Sequence, residues 1–359
     1  MSRVAFPRGL RSLVTAVALG LFSAFALGAA ERASVAAPGS PALARSLEGR
    51  VTPLRLNRLA QAAIEWRGGP IVTSTGETVT VFVSDAFASE VVTPESWAEF
   101  LAGLVHGSEL SALETRIAPL SEVRQICGAR ALGCYSRNRA ISIGETLPDG
   151  TTAEEVIRHE YGHHIALYRS NEPWRAIEWG PKRWASAANI CARVTHKEAF
   201  PGDQGSNYTR NPGEAWAEVY RLMDERKAGV ATGTWQTVAP TFYPDDAALE
   251  AAEQDVIAPW TAGEKLVVRR NLTRKGQVWW IPVSTPLDGS LSITVTVPRG
   301  GLHEAALVAA NRRTVLQRTQ WSGVRQRSVS RSVCGQRSLY VKVTQKGTFG
   351  GVTVAVSRP

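Results

Sequence analysis

The sequence predicts an α+β protein: a region of mixed strands and helices followed by a small all-β sandwich domain. Three observations predict it. Helical and strand-like stretches are interspersed up to about residue 261, and from about 262 onward only short β-type runs appear. Charge changes at the same place. Residues 262–359 carry 16 Lys/Arg against 3 Asp/Glu, a net of +13, whereas residues 31–261 carry −7 within a chain of +9 overall. Hydrophobic residues make up 44 % and charged residues 20 %, a balance that supports a buried core and excludes a disordered chain.

The elements follow in order. Arg3, Arg8 and Arg11 precede the apolar run "LVTAVALGLFSAFALGAA", which ends in small residues. That order is the pattern of a secretory signal peptide over residues 1–30, and the expected location is extracellular. Residues 31–50, rich in Ala, Pro and Ser, read as a leader or linker. The region 51–261 is expected to be a globular domain of mixed strands and helices. "TVTVFVSDAF" (78–87) alternates and is β-branched, as a strand does. "TPESWAEFLAGLV" (93–105) has Thr93 as N-cap and Pro94 at the first helical position. "RAISIGE" (139–145) reads as a short strand. Thr152 and Glu155 form a capping-box signature that opens a helix ending before Asn171 and Pro173. Further helices are expected at 181–194 and 212–227, separated by a loop. In 262–359, "QVWWIPVS", "SLSITVTV", "SLYVKVTQ" and "GGVTVAVS" are strand-like runs spaced as in a β-sandwich.

Export places the four cysteines in an oxidising compartment, where disulfides form. Cys127 and Cys134 bracket "GARALG", so a local pair is favoured, leaving Cys191 to join Cys334. No CxxC spacing suggests a cysteine metal site.

"RHEYGHHIALY" (158–168) carries the chemistry. Residues four apart on a helix share a face, so His159 and His163 can present two imidazoles to one ion. Glu160 then stands beside a water that the ion acidifies, as a general base. His164, about 140° further round the helix, belongs to another face. A catalytic zinc needs a third protein ligand. Ala166 and Arg169 stand where the longer HExxHxxGxxH pattern requires Gly and His, so the ligand lies elsewhere. Glu214 and Glu218, in "NPGEAWAEVYRL", are four apart on an expected helix: one can ligate and the other orient a histidine. His196 and Asp203, in the preceding loop, are rival ligands.

HExxH followed by an ExxxE helix resembles the gluzincin branch of the zincin metallopeptidases. "YTRNPGEAWAEVYRL" is similar to the ligand helix of anthrax lethal factor-like peptidases. The resemblance implies Zn²⁺ on His159, His163 and Glu214, with Glu160 as general base and Glu218 as the orienting carboxylate. It also places Tyr208 where a tyrosine steadies the oxyanion, with His196 as its substitute. A zincin-like fold is implied, in which a mixed sheet packs on the active-site helix and "RAISIGE" is the edge strand that pairs with substrate. "WWIPV" and the stretch from Cys334 to Pro359 resemble the pre-peptidase C-terminal β-sandwich domains of secreted bacterial peptidases.

The expected function is a secreted zinc endopeptidase acting on a protein or peptide substrate. The contrasting class is an extracellular polymer-binding protein whose zinc site is structural, since the +13 region attracts anionic surface polymers. No nucleic-acid motif, no serine-nucleophile elbow and no span beyond the leader is seen, and a monomer is expected. Trp279 and Trp280, neighbours on a strand, point to opposite faces, so at most one can lie outside, and core packing is the expected account of both. Trp174, Trp179, Trp184 and Trp216 are either core residues or the wall of a subsite.

Overall fold

The computed structural model describes residues 64–359, so the expected signal peptide and leader lie outside the described residues. Alternation in "TVTVFVS" works as a strand because every second residue is valine: Val79, Val81 and Val83 of β2 (Thr78–Ser84) are fully buried. β2 pairs antiparallel with β1 (Trp66–Val72) and parallel with β3 (Glu114–Ala118). β3 is parallel to β5 (Arg139–Ile143), and β5 is antiparallel to β4 (Gly133–Ser136). The order of this five-stranded mixed sheet is β1-β2-β3-β5-β4. The edge-strand expectation is therefore corrected. Residues 139–143 lie inside the sheet, and Gly133–Ser136 forms the edge. A tight turn at Arg137 and Asn138, both at positive φ, folds one strand back on the other.

Helices cover this sheet. α1 (Pro94–Ala102) starts as expected, with Thr93 Oγ1 accepting from the Ser96 N–H. α2 (Leu120–Cys127), not anticipated, ends at Cys127, which is bonded to Cys134 on the edge strand. α3 (Ala153–Leu167) lies against β4 and β5, and α7 (Pro212–Ala228) lies against α3. The expected helix at 181–194 is two: α5 (Lys182–Ala187) and α6 (Ile190–Thr195), which follow the short α4 (Ala176–Trp179). The break falls at Asn189, held in the left-handed region at φ 54°. α8 (Asp246–Ile257) closes the helical part. No helix among the described residues is long and apolar enough to cross a membrane.

From Glu264 onward the chain forms two four-stranded antiparallel sheets. One has the order β10-β9-β12-β7 and the other β11-β8-β13-β6. Their strands are β6 (Glu264–Leu272), β7 (Val278–Ser284), β8 (Gly289–Thr296), β9 (Leu302–Ala309), β10 (Val315–Ser322), β11 (Gln326–Val333), β12 (Ser338–Gln345) and β13 (Gly350–Arg358). One sandwich-like core joins them, with Leu339, Val341 and Val343 of the first facing Val352, Val354 and Val356 of the second. Trp279 enters this core at 8 % exposure. Trp280 does not, and its expected core role is corrected: period-two geometry turns it to the outer face, where it remains half-buried.

The second disulfide, Cys191–Cys334, ties α6 to the chain after β11, as favoured from the sequence. Beside it, the Arg337 guanidinium donates to the Ser186 carbonyl and pairs with Asp288, whose N–H donates to Ser186 Oγ. Lys182 is fully buried here, donating to the Glu172 carbonyl at 2.5 Å with Nζ 4.7 Å from the Trp260 ring centre. Burial lowers its pKa to about 8. The unfolded chain then holds one more proton than the folded one between about pH 8 and the usual lysine value near 10.4. Wild-type stability should therefore rise with pH across that window relative to Lys182→Met. Melting temperatures of the two proteins at pH 8 and pH 10 measure this, and a constant difference would contradict it.

Candidate metal centre

α3 forms where its ends are satisfied locally. Thr152 Oγ1 accepts from the Glu155 N–H at 3.1 Å and Glu155 Oε2 accepts from the Thr152 N–H at 3.2 Å, the expected reciprocal cap. α7 starts at Asn211, whose Oδ1 accepts from the Gly213 N–H, and Pro212 occupies the first turn. Glu214 thus sits in the first turn, where the helix dipole favours a carboxylate. The two helices approach closely at Gly162: a Cβ there would come within 2.8 Å of Ala217 Cα. Trp216 Nε1 donates to the Gly162 carbonyl at 2.7 Å across this crossing.

The crossing brings the sequence-predicted residues together. His159 and His163 are one turn apart, and their Nε2 atoms lie 3.4 and 3.3 Å from Glu214 Oε2. All three side chains are fully buried, and their facing atoms lie within 4.8 Å of one another. These separations are long for hydrogen bonds. They suit a shared ion, because tetrahedral ligands at about 2.1 Å from zinc stand about 3.4 Å apart. The group can hold a metal ion.

Several polar groups around the trio have defined partners. His159 Nδ1 donates to Glu218 Oε2 at 3.1 Å, and Arg221 donates to Glu218 Oε1 at 2.6 Å. Arg221 also pairs with the buried Glu225 at 2.8 Å. The arrangement fixes the His159 tautomer with Nε2 free to ligate. Tyr208, in the short helical turn Tyr208–Arg210, donates to Glu214 Oε2 at 3.0 Å, and Gln204 Nε2 donates to Glu214 Oε1 at 3.0 Å. Asp203 is turned to its own loop, accepting from the Gly205 N–H and Asn207 Nδ2. His196 is exposed at the end of α6, and none of the contacts among the described residues links its side chain to the trio. His164 faces away, as expected, with Nδ1 on the Tyr135 hydroxyl and Nε2 on the Glu109 carbonyl.

Electrostatics follow from burial and pairing. Burial alone would raise Glu214, but His163 and His159 outweigh it and hold the carboxyl down to about 2. Burial would likewise raise Glu218, yet Arg221 and His159 hold it at about 2. His159 would be lowered by burial, and the Glu214 and Glu218 carboxylates beside it instead raise it to about 10. Burial lowers His163. Glu160 differs: burial raises it to about 8, with His159 and Glu214 acting on it in opposite directions. Both of its carboxylate oxygens are buried with no hydrogen-bond partner among the described residues. A buried carboxylate without a partner is costly, and positive charge at the trio would relieve it.

Two residues at the site carry no sequence signal. Gln204 is one polar residue in a polar loop, and nothing in the sequence marks it. Gly133 opens the edge strand, and a Cβ there would come within 2.7 Å of Glu160 Oε1, 2.8 Å of Val156 Cγ1 and 3.0 Å of the Ile141 carbonyl. Backbone and helix side chain cannot both give way, so Gly133→Ala should displace the Glu160 carboxylate. A crystal structure of Gly133→Ala checks this, and an unmoved Glu160 carboxylate would show that it needs no such room.

The tryptophans divide. Trp184 and Trp216 are fully buried and meet edge to face at 5.7 Å, so they are core residues. Trp174 and Trp179 are half-buried and stack on each other at 4.7 Å.

No protein-family model and no curated relative matches this chain. Among solved structures it is similar to the pre-peptidase C-terminal domain of collagenase from Bacillus anthracis. That match has 11 % identity and a TM-score of 0.21, and covers 26 % of this chain and 88 % of that one. It is also similar to Legionella pneumophila aminopeptidase A at 9 % identity and a TM-score of 0.24, over 77 % of this chain and 36 % of that one. A third similarity is to Aeromonas hydrophila PliG, a periplasmic inhibitor of g-type lysozyme, at 11 % identity and a TM-score of 0.20, over 27 % and 85 %. At these TM-scores the likenesses carry no argument about activity. The chain is thus a mixed α+β protein with a sandwich-like β region and a buried His–His–Glu group able to hold a metal ion.

Proposed function

We propose that this protein is a secreted zinc-dependent endopeptidase with a zincin-like catalytic domain over residues 51–261 and a separate β-sandwich domain over 262–359. One observation carries the reading: the Nε2 atoms of His159 and His163 and Glu214 Oε2 converge beside a buried, partnerless Glu160 carboxylate. His159, His163 and Glu214 would hold a zinc ion, which would supply Lewis acidity to water and to the scissile carbonyl.

The chain's own residues do the rest. Glu160 takes a proton from the attacking water and passes it to the leaving nitrogen. Its freedom from other hydrogen bonds leaves both oxygens available for that work. Tyr208, whose hydroxyl is directed at the trio through Glu214, turns from that carboxylate to donate to the developing oxyanion. Glu218, anchored by Arg221, keeps the His159 ring in register. Substrate in extended form adds to the outer edge of Gly133–Ser136, which no strand covers among the described residues.

Turnover of a peptide library tests the proposal. Cleavage should vanish with a chelator and return on adding zinc. A chain with zinc bound stoichiometrically that cleaves no peptide would overturn it.

A further inference from the structure

The outer face of the β10-β9-β12-β7 sheet carries groups that its core does not use. Trp280 points outward from β7, and Lys342 of β12 stands opposite it in register, with Tyr340 two residues along on the same face. The two rings meet edge to face, with centres 6.1 Å apart. Lys342 Nζ lies 5.5 Å from the centre of Trp280. The Arg312 guanidinium lies 4.3 Å from the centre of Tyr340 and 5.9 Å from that of Trp280.

Arg312 comes from the exposed turn between β9 and β10 and sits at φ 56°, in the left-handed region that normally falls to glycine. The turn is built to hold it there. Asn311 Oδ1 accepts from the N–H groups of Arg313 and Thr314, and the Arg312 N–H donates to the Ala309 carbonyl at 2.9 Å. The turn therefore fixes where the Arg312 side chain stands, over the two rings.

Charge points the same way. The three side-chain carboxylates of residues 262–359 are already paired: Glu264 with Arg358, Asp288 with Arg337, and Glu304 with Lys346 and Arg318. Glu304 shares this face, two residues from Ala306, which pairs with Lys342, and Lys346 and Arg318 meet its charge. Arg312 and Lys342 meet ring faces and no carboxylate among the described residues. Their positive charge is left for a ligand.

We propose that this face binds a carboxylated polysaccharide, with a uronate ring against Trp280 and Tyr340 and its carboxylate on Arg312 and Lys342. A sugar ring offers C–H groups to an aromatic face, and a guanidinium matches a carboxylate in a bidentate pair. A neutral glycan leaves the two cations unused, and a simple polyanion leaves the two rings unused. A uronate engages both.

The test uses the full chain carrying Glu160→Gln, so that binding is read independently of the metal centre's activity. Calorimetry at about 0.15 M salt compares polygalacturonate, a neutral galactan and inorganic polyphosphate. Polygalacturonate should bind at least tenfold more tightly than either of the others. Trp280→Ala and Arg312→Gln should each weaken it at least tenfold. Replacing Arg269 and Arg270 on the other sheet by Gln, a larger loss of charge, should change it less than twofold. Arg312 lies in an exposed turn, so Arg312→Gln remains a readout even if Trp280→Ala perturbs folding. The proposal is overturned by absent polygalacturonate binding, by equal affinity for polyphosphate, by wild-type affinity in Arg312→Gln, or by an equal loss in the Arg269/Arg270 variant.

Discussion

Replacing Glu160 by glutamine is expected to lower kcat on the order of 10³-fold while leaving the bound metal in place. The direction follows from position. Glu160 is not among the three groups whose atoms converge, so the ion keeps its protein ligands. The amide cannot accept the proton that the carboxylate takes, although it fills the same space beside Gly133. Because the carboxylate has no hydrogen-bond partner to lose among the described residues, the folded state should tolerate the change, or gain from it. Wild-type turnover in this variant would remove Glu160 from the mechanism. Loss of metal together with activity would instead place it among the ligands.

Glu214→Gln is the complementary change. It should lower metal affinity at least about 100-fold and remove activity with it, because the charge facing both Nε2 atoms is lost. Glu218→Gln should have a smaller effect, about 10- to 100-fold in affinity, since that carboxylate acts through His159 Nδ1. It also leaves buried Arg221 with Glu225 as its remaining carboxylate partner, so thermal stability should fall as well. Metal titrations of the three proteins should order them wild type, Glu218→Gln, Glu214→Gln. The reverse order of the two variants would assign the third ligand to Glu218.

The parts of this site that were legible in the sequence are those whose geometry is local. Helical spacing alone places His159 and His163 on one face, and Thr152 and Glu155 mark where that helix begins. The disulfides were also legible, one from a short loop and the other by elimination. What could not be read is set by tertiary approach. Gly133 matters only because α3 brings Glu160 against it, and Gln204 only because a loop folds over α7. The edge strand is not legible because "GCYS" is too short to show alternation. Its place in the sheet comes from the turn at Arg137 and Asn138. The split at Asn189 has a similar origin: the stretch has helical composition, but Ser186 and Cys191 are each tied to the β region by contacts and a disulfide. Trp280 shows the opposite case, in which period-two geometry excluded a shared face and the structure shows which of the pair is outside.

The central claim is that one zinc ion sits between His159, His163 and Glu214. Anomalous diffraction at the zinc edge from crystals of the Glu160→Gln protein tests it most directly. The account predicts a single strong peak bonded to Nε2 of both histidines and to the Glu214 carboxylate, at about 2.0–2.2 Å from each. A metal-replete crystal with no peak there, or with its zinc on other residues, would contradict it.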